Sequence, residues 1–100
     1  KVIQITDQVG DVTIHVEKIN ELEYISGHIW ANIWGSSQVA IINPETGKVT
    51  SYLDMRSLVD KVHVKNHIDD VLNGIAFDSS TGYIYITGKR WPKIFKLKIL

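Results

Sequence analysis

One segment of the sequence recurs later in the chain, and this internal similarity constrains the fold more than any other feature. Residues 27–34 align with residues 82–89, and both segments begin with glycine and continue with alternating apolar residues that coincide. Upstream, Asn20 aligns with Asn73, and the distance between them along the chain is two residues shorter than the distance between the two aligned segments. The pattern predicts two copies of one structural unit, with the two-residue difference inside the first turn of the unit.

Apolar and polar residues alternate along most of the chain with a period of two, which is typical of β-strands. Residues 12–16 and 49–53 alternate in this way and predict strands with one buried face. Residues 38–42 are mostly apolar at consecutive positions, which predicts a strand covered on both faces. Residues 95–99 predict a strand with one exposed face. Glycine-containing turns separate the strands at residues 26–27, 43–47 and 78–82.

Each copy therefore consists of a strand, a tight turn, a second strand, a loop and a third strand, and the first copy adds a fourth strand after Gly47. A repeat of roughly 40 to 50 residues with four antiparallel strands predicts a blade of a β-propeller. Propellers close with about four to eight blades, so two blades need further blades from a longer parent chain or from oligomerisation. A small free-standing β-sandwich is the alternative fold.

The repeat also predicts the domain organisation. The first strand is expected at residues 2–6, either as part of a preceding blade or as the fourth strand of a terminal blade. Residues 56–66 are expected to form a short connector helix or an ordered loop outside the core. The predicted parts are an outer strand and connector of a neighbouring blade at 1–18, a first blade at 19–54, a connector at 55–70 and a second blade at 71–100.

Composition argues against several classes of protein. The 100 residues include 11 basic and 11 acidic side chains, 44% apolar residues and no cysteine. Nucleic-acid binding is not expected, because phosphate recognition needs clustered lysine and arginine. Without cysteine the chain forms neither disulfides nor thiolate zinc sites. The longest apolar run, residues 39–42, is too short to span a bilayer, so no membrane insertion is expected.

Four residues bracket the two predicted hairpins. The residue before the first strand of a hairpin and the residue after its second strand lie at the same end. Asn20 and Trp34 bracket the first hairpin, and Asn73 and Lys89 bracket the second. We therefore expect all four on one rim, where amides, an indole and an ammonium form a pocket for a small polar group. Alternatively, the asparagines cap strand ends, Trp34 packs against a neighbouring blade and Lys89 is solvated.

Four sequence motifs follow each other in a recognisable order. They are INELEY at 19–24, IWANIW at 29–34, VLNGIAFD at 71–78 and TGKRWPK at 87–93. In this order and spacing they resemble the C-terminal part of the plant-type glutaminyl-peptide cyclotransferases. The resemblance covers nearly the whole chain and is weakest between residues 54 and 70. The chain departs from the family pattern near the predicted rim, at residues 35–37 and at Arg90.

The resemblance implies a five-bladed β-propeller that cyclises the N-terminal glutamine of a peptide to pyroglutamate and releases ammonia, without a catalytic metal or cofactor. It implies pocket roles for Asn20, Trp34 and Lys89. We predict Lys89 as the catalytic residue, with Asn20, Trp34 and Asn73 as substrate-binding residues. In the family, a glutamate on an earlier blade transfers the proton, and that blade lies outside this sequence. The alternative is thus a non-catalytic propeller fragment or interaction module. Members are commonly exported or vacuolar, which favours a secreted or periplasmic location.

No metal site is predicted. His63 and His67 are four residues apart and would share one face of a helix, but the sequence offers no third ligand at an obvious spacing. Asp69 and Asp70 are interpreted as a solvated acidic pair, and the alternative is that they bind a cation in a channel. Glu21, next to Asn20, has no assigned role in the family and is not expected to replace the missing acid.

Overall fold

A computed structural model describes residues 3–59, 61–62 and 72–98 of the chain. The prediction of an all-β, antiparallel fold is confirmed, because three antiparallel sheets of two, four and three strands make up most of this part. Within it, no helix is long and apolar enough to cross a membrane. The elements are β1 (Thr6–Val9), β2 (Val12–His15), β3 (Ile19–Ile25), β4 (His28–Ile33), β5 (Gln38–Ile42), β6 (Val49–Asp54), α1 (Arg56–Val59), β7 (Leu72–Asp78), β8 (Tyr83–Gly88) and β9 (Phe95–Lys98).

The hairpins β3–β4 and β7–β8 differ in the length of their turns. Ile25 lies opposite His28, so that only two residues form the first turn. Asp78 lies opposite Tyr83, which leaves four residues for the second turn. The two additional residues in the second turn explain why Asn20 and Asn73 are two residues closer along the chain than the aligned segments 27–34 and 82–89.

The first strand of each hairpin contains a β-bulge near its start. The register of β3 shifts between Ile19 and Leu22, and the register of β7 shifts between Leu72 and Ile75. A bulge places two residues opposite one and bends the strand locally. The two asparagines predicted as site residues both lie within these bulges.

The main core fills the space between the four-stranded sheet and the three-stranded sheet. β3 and β4 both approach β7, so the two sheets are closest along these strands. A smaller apolar cluster on the opposite face of the four-stranded sheet is partly covered by Ile5. The buried residues of the main core are Ile25, Trp30, Val39, Met55, Leu58, Leu72, Ile84 and Ile86.

The prediction that the helical segment lies outside the core is wrong. The helix α1 is a single turn, and Leu58 within it packs into the main core together with Met55. Val62 is also buried. Burial of these apolar side chains removes them from water and adds to the stability of the core. Residues 63–66, the remainder of the predicted helix, lie outside the described residues.

The N-terminal region also differs from the prediction. The first strand is β1, at Thr6–Val9 and not at residues 2–6, because a two-residue turn at Gly10 and Asp11 pairs it with β2. Gly10 has a φ of 60°, which suits a tight turn. All of β2 is exposed and not half-buried, since within the described residues only β1 pairs with it. The last sheet contains three described strands, one fewer than a four-stranded blade.

Hydrogen bonds attach the N-terminal hairpin to the four-stranded sheet and to the turn that precedes β6, and Thr6 forms a parallel bridge with Lys48. The backbone N–H of Thr6 donates to the carbonyl of Gly47 at 3.0 Å. The hydroxyl of Tyr52 donates to Oδ2 of Asp7 at 2.9 Å. Partial burial, together with the hydrogen bond and the negative charge of Asp7, raises the pKa of Tyr52 to about 12. The hairpin therefore depends on a protonated tyrosine for one of its attachments.

This attachment predicts a loss of stability in alkali. The pKa of Tyr52 in the folded chain is about 12, above its ordinary value of 10.0, so the folded state holds this proton more tightly than the unfolded state. The contribution of Tyr52 to the free energy of unfolding is fully present below pH 10 and is lost as the pH rises through about 12. In thermal unfolding measured from pH 9 to 12, we expect the melting temperature of Tyr52→Phe to fall less with rising pH than that of the unsubstituted chain. Tyr24→Phe changes an exposed tyrosine and should not have this effect. Equal profiles for the two variants would contradict the attachment.

Candidate functional site

The side chains of Asn20 and Asn73 meet between the two larger sheets. Nδ2 of Asn20 donates a hydrogen bond to Oδ1 of Asn73 at 3.0 Å. Both side chains are half-buried, and each belongs to the bulge at the start of its strand. An amide has two donor hydrogens and an acceptor oxygen, so each side chain has capacity for a further polar partner. The hydrogen bond therefore places side by side two amides that can each bind a further polar group.

Trp34 and Lys89 follow the second strands of their hairpins. The backbone N–H of Trp34 donates to the carbonyl of Lys18 at 2.8 Å, which closes the hairpin at the end that contains Asn20. The indole of Trp34 is 40% exposed. Lys89 comes directly after Gly88, which pairs with Leu72, and its side chain is exposed. The structure thus joins the two asparagines directly and leaves the side chains of Trp34 and Lys89 exposed at the corresponding hairpin ends.

A tight turn after β8 fixes the backbone beside Lys89. The N–H of Trp91 donates to the carbonyl of Gly88 at 3.1 Å, and the indole of Trp91 lies directly against Gly88. A Cβ atom at residue 88 would overlap this ring. The indole also meets Phe95 edge to face, with ring centroids 6.3 Å apart. Lys89 is therefore carried by a turn that is packed against the aromatic residues of the core.

Asn32 is a buried polar residue that the sequence analysis did not single out. Its side chain is 0% exposed, and its Oδ1 accepts a hydrogen bond from the backbone N–H of Gly74 at 2.8 Å. The bond crosses from β4 to β7, so it connects the two sheets. The signal in the sequence is an amide within the otherwise apolar segment 29–33, because a buried amide needs a hydrogen-bond partner.

Gly74 occupies a backbone conformation that favours glycine. Its φ is 155°, and a Cβ built there would lie 2.9 Å from Cγ2 of Thr87 on the paired strand. Gly74 directly follows Asn73 in the bulge. The position of the Asn73 backbone is thus constrained by Thr87 on one strand and by Asn32 on the neighbouring sheet.

Two cavities lie close to the sheets. A polar recess of about 330 Å³ adjoins the turn after Trp34. The hydrogen bond from the Arg56 guanidinium is the main cause that lowers the pKa of the Asp54 carboxyl there. An apolar cleft of about 350 Å³ contains none of the predicted site residues. The recess is lined by Ser36, Ser37, Gln38, Asp54 and Arg56, and the cleft by Trp30, Ile41, Leu53, Met55, Ile84, Leu97 and Lys98.

Within residues 3–59, 61–62 and 72–98, no group of three or more His, Cys, Asp or Glu side chains could hold a metal ion. The histidine pair at positions 63 and 67 and the aspartates at 69 and 70 lie outside the described residues. The described site therefore offers amide, indole and ammonium groups for binding.

Comparison with known proteins gives three consistent matches. The family described as glutamine cyclotransferase matches residues 2–99. A glutaminyl-peptide cyclotransferase of Arabidopsis thaliana is 40% identical over 85 residues, which are 84% of this chain and 27% of that protein. The crystal structure of a Myxococcus xanthus glutaminyl cyclase superimposes with a TM-score of 0.78 and 48% identity, over 82% of this chain and 36% of that chain. The chain spans much less than half the length of either relative.

The contact between Gly88 and Trp91 yields a stability prediction. Gly88→Ala should lower the free energy of unfolding by about 1–3 kcal/mol, because the added methyl group displaces the indole from a packed position. Denaturant unfolding measures the change. In a Trp91→Ala background the same substitution should cost much less, since the ring is no longer there. An equal loss in both backgrounds would show that the cost does not come from this contact.

Proposed function

Because the chain belongs to the glutamine cyclotransferase family, we propose that it carries the substrate-binding part of a glutaminyl-peptide cyclotransferase. The reaction converts the N-terminal glutamine of a peptide into pyroglutamate and releases ammonia. The cyclotransferase of Arabidopsis and the cyclase of Myxococcus support this assignment by their similarity over most of the chain. The predicted substrate is thus a peptide that begins with glutamine.

The observation that carries the proposal is the hydrogen bond between Asn20 and Asn73. Two amides that already contact each other can present a donor and an acceptor to the γ-carboxamide of a glutamine, which has the same groups. Both asparagines lie at the hairpin ends that also contain Trp34 and Lys89. The four residues together have the polar and aromatic character that a small amide substrate needs.

The proposed chemistry divides into binding and proton transfer. The α-amine nitrogen attacks the γ-carboxamide carbon, a ring C–N bond forms, and the original C–N bond breaks as the side-chain nitrogen leaves as ammonia. The face of Trp34 packs against the bent substrate side chain and excludes water, and Asn20 and Asn73 orient its amide. The ammonium of Lys89 stabilises the negative charge that develops on the carbonyl oxygen. The proton-transferring glutamate is assigned to an earlier blade, outside these 100 residues.

We propose further that the two larger sheets are neighbouring blades of a five-bladed propeller. The bulges of β3 and β7 occur at corresponding positions, and the sheets are closest along their first hairpins, as expected for blades arranged around an axis. The proposed boundaries are residues 19–54 and 71–100 for the blades, 55–70 for the connector and 1–18 for part of a neighbouring blade. The remaining blades come from a parent chain or from oligomerisation.

A second candidate function is a scaffold or interaction module without catalysis. Two observations favour it: the side chains of Trp34 and Lys89 are exposed, and the turn that follows Trp34 is the small, polar segment 35–37. An exposed indole beside a polar recess is also a suitable surface for a protein partner. The two candidates differ in turnover and can be separated by one assay.

Substitution of Lys89 tests the catalytic proposal. In the longest natural form of the protein, Lys89→Ala should lower kcat for ammonia release from a glutamine-initiated peptide by about 100-fold or more, because a group that stabilises developing charge is removed. Lys93→Ala removes an exposed lysine from the same segment and should leave kcat unchanged. Absence of turnover in the unsubstituted protein would favour the scaffold.

Substitution of Trp34 tests the binding surface separately. Trp34→Ala should raise KM by about ten-fold with little change in melting temperature, because it removes an aromatic wall that is exposed in the folded chain. Tyr24→Ala, which removes another exposed aromatic ring from the same sheet, is the matched control. A large drop in melting temperature with an unchanged KM would instead show that Trp34 serves packing.

A further inference from the structure

We propose that Asn32 is a positioning residue that holds the Asn20–Asn73 pair in its binding geometry. The inference rests on the proposed function, because it matters for turnover only where these asparagines contact the substrate. Asn32 itself is fully buried, so its side chain acts through the backbone of β7 and does not reach the substrate.

Asn32 lies opposite one bulge and is bonded to the other. On its own sheet, β4 pairs with β3 on either side of the Asn20 bulge, which leaves Asn32 as the residue that faces the bulge. Across the core, its Oδ1 accepts from the N–H of Gly74 at 2.8 Å. One residue is therefore placed opposite one of the bulges that carry the predicted binding amides and hydrogen-bonded to the other.

The bond to Gly74 controls the position of Asn73. Asn73 and Gly74 are consecutive, so a shift of the Gly74 N–H moves the peptide group that follows the Asn73 side chain. On the other side, Gly74 lies so close to Thr87 of its paired strand that a Cβ at residue 74 would lie 2.9 Å from Cγ2 of Thr87. With Asn32 in place, Oδ1 of Asn73 lies 3.0 Å from Nδ2 of Asn20. Without the acceptor at residue 32, the Gly74 N–H loses its partner and the bulge is free to relax.

The paired strand offers a matched control. Val39 lies directly opposite Asn32 on β5 and is also fully buried, but it has no polar contact with the bulges. Val39→Ala creates a cavity next to Asn32 and lowers stability without removing the Gly74 hydrogen bond. Thr87 occupies the position in the three-stranded sheet that corresponds to Asn32, so a β-branched side chain such as valine is compatible with this strand position.

The experiment uses the longest natural form of the protein and ammonia release from a glutamine-initiated peptide. Asn32→Leu keeps the approximate shape and removes the acceptor, and Asn32→Val, which also lacks an acceptor, is the second variant in case the leucine variant does not fold. Each should lower kcat/KM by about ten-fold or more, whereas Val39→Ala should stay within about two-fold at a comparable loss in melting temperature. In an Asn20→Ala background, Asn32→Val should add less than about two-fold, because residues that act as one unit are not additive.

The outcomes separate this inference from the proposed function. If Asn20→Ala lowers kcat/KM but Asn32→Val folds and retains the activity of the unsubstituted protein, the positioning role is wrong and the binding role stands. Multiplicative effects of the two substitutions would likewise show that Asn32 does not act through Asn20. If Asn20→Ala itself leaves kcat/KM unchanged, both the binding role of Asn20 and the positioning role of Asn32 are wrong.

Discussion

The hydrogen bond from the backbone of Gly74 to the side chain of Asn32 is a buried, directional contact between the two larger sheets. Apolar packing between sheets has no preferred direction, so the core alone would tolerate small sliding movements of one sheet along the other. The hydrogen bond between Gly74 and Asn32 tolerates such sliding far less, because loss of the bond would leave the buried Oδ1 of Asn32 unpaired, which costs free energy. The bond between Asn20 and Asn73 lies beside it and depends on the same alignment.

Local sequence signals were sufficient to predict the strands of the two larger sheets and their hairpin ends, but not the position of the first strand. Turn residues and the alternation of apolar residues located the hairpins that contain Asn20 and Asn73, and antiparallel pairing then indicated which ends meet. The direct contact between the two asparagines agrees with that expectation, while their role in substrate binding stays a prediction. The burial of Leu58 was missed because it depends on a space that exists only after two sheets have packed. Asn32 was missed for the same reason, since its partner lies in another sheet.

Membership of the family and the geometry of the described residues support different parts of the functional account. The family match covers residues 2–99, but the relatives are much longer than the chain. We propose that the described residues bind and orient the substrate and stabilise charge, and that another part of the protein supplies the proton-transferring group. If the two larger sheets are propeller blades, as proposed, they can contain a specific binding surface and still depend on other blades for chemistry.

The most direct test of the central claim is a crystal structure of the longest natural form of the protein with a bound peptide that begins with pyroglutamate. The account predicts that the lactam ring packs against the indole of Trp34, with an amide atom of Asn20 or Asn73 within hydrogen-bond distance of the lactam. It also predicts that the Asn32–Gly74 hydrogen bond is retained. A lactam ring bound elsewhere, with neither asparagine in contact, would contradict the assignment of these residues to the substrate-binding site.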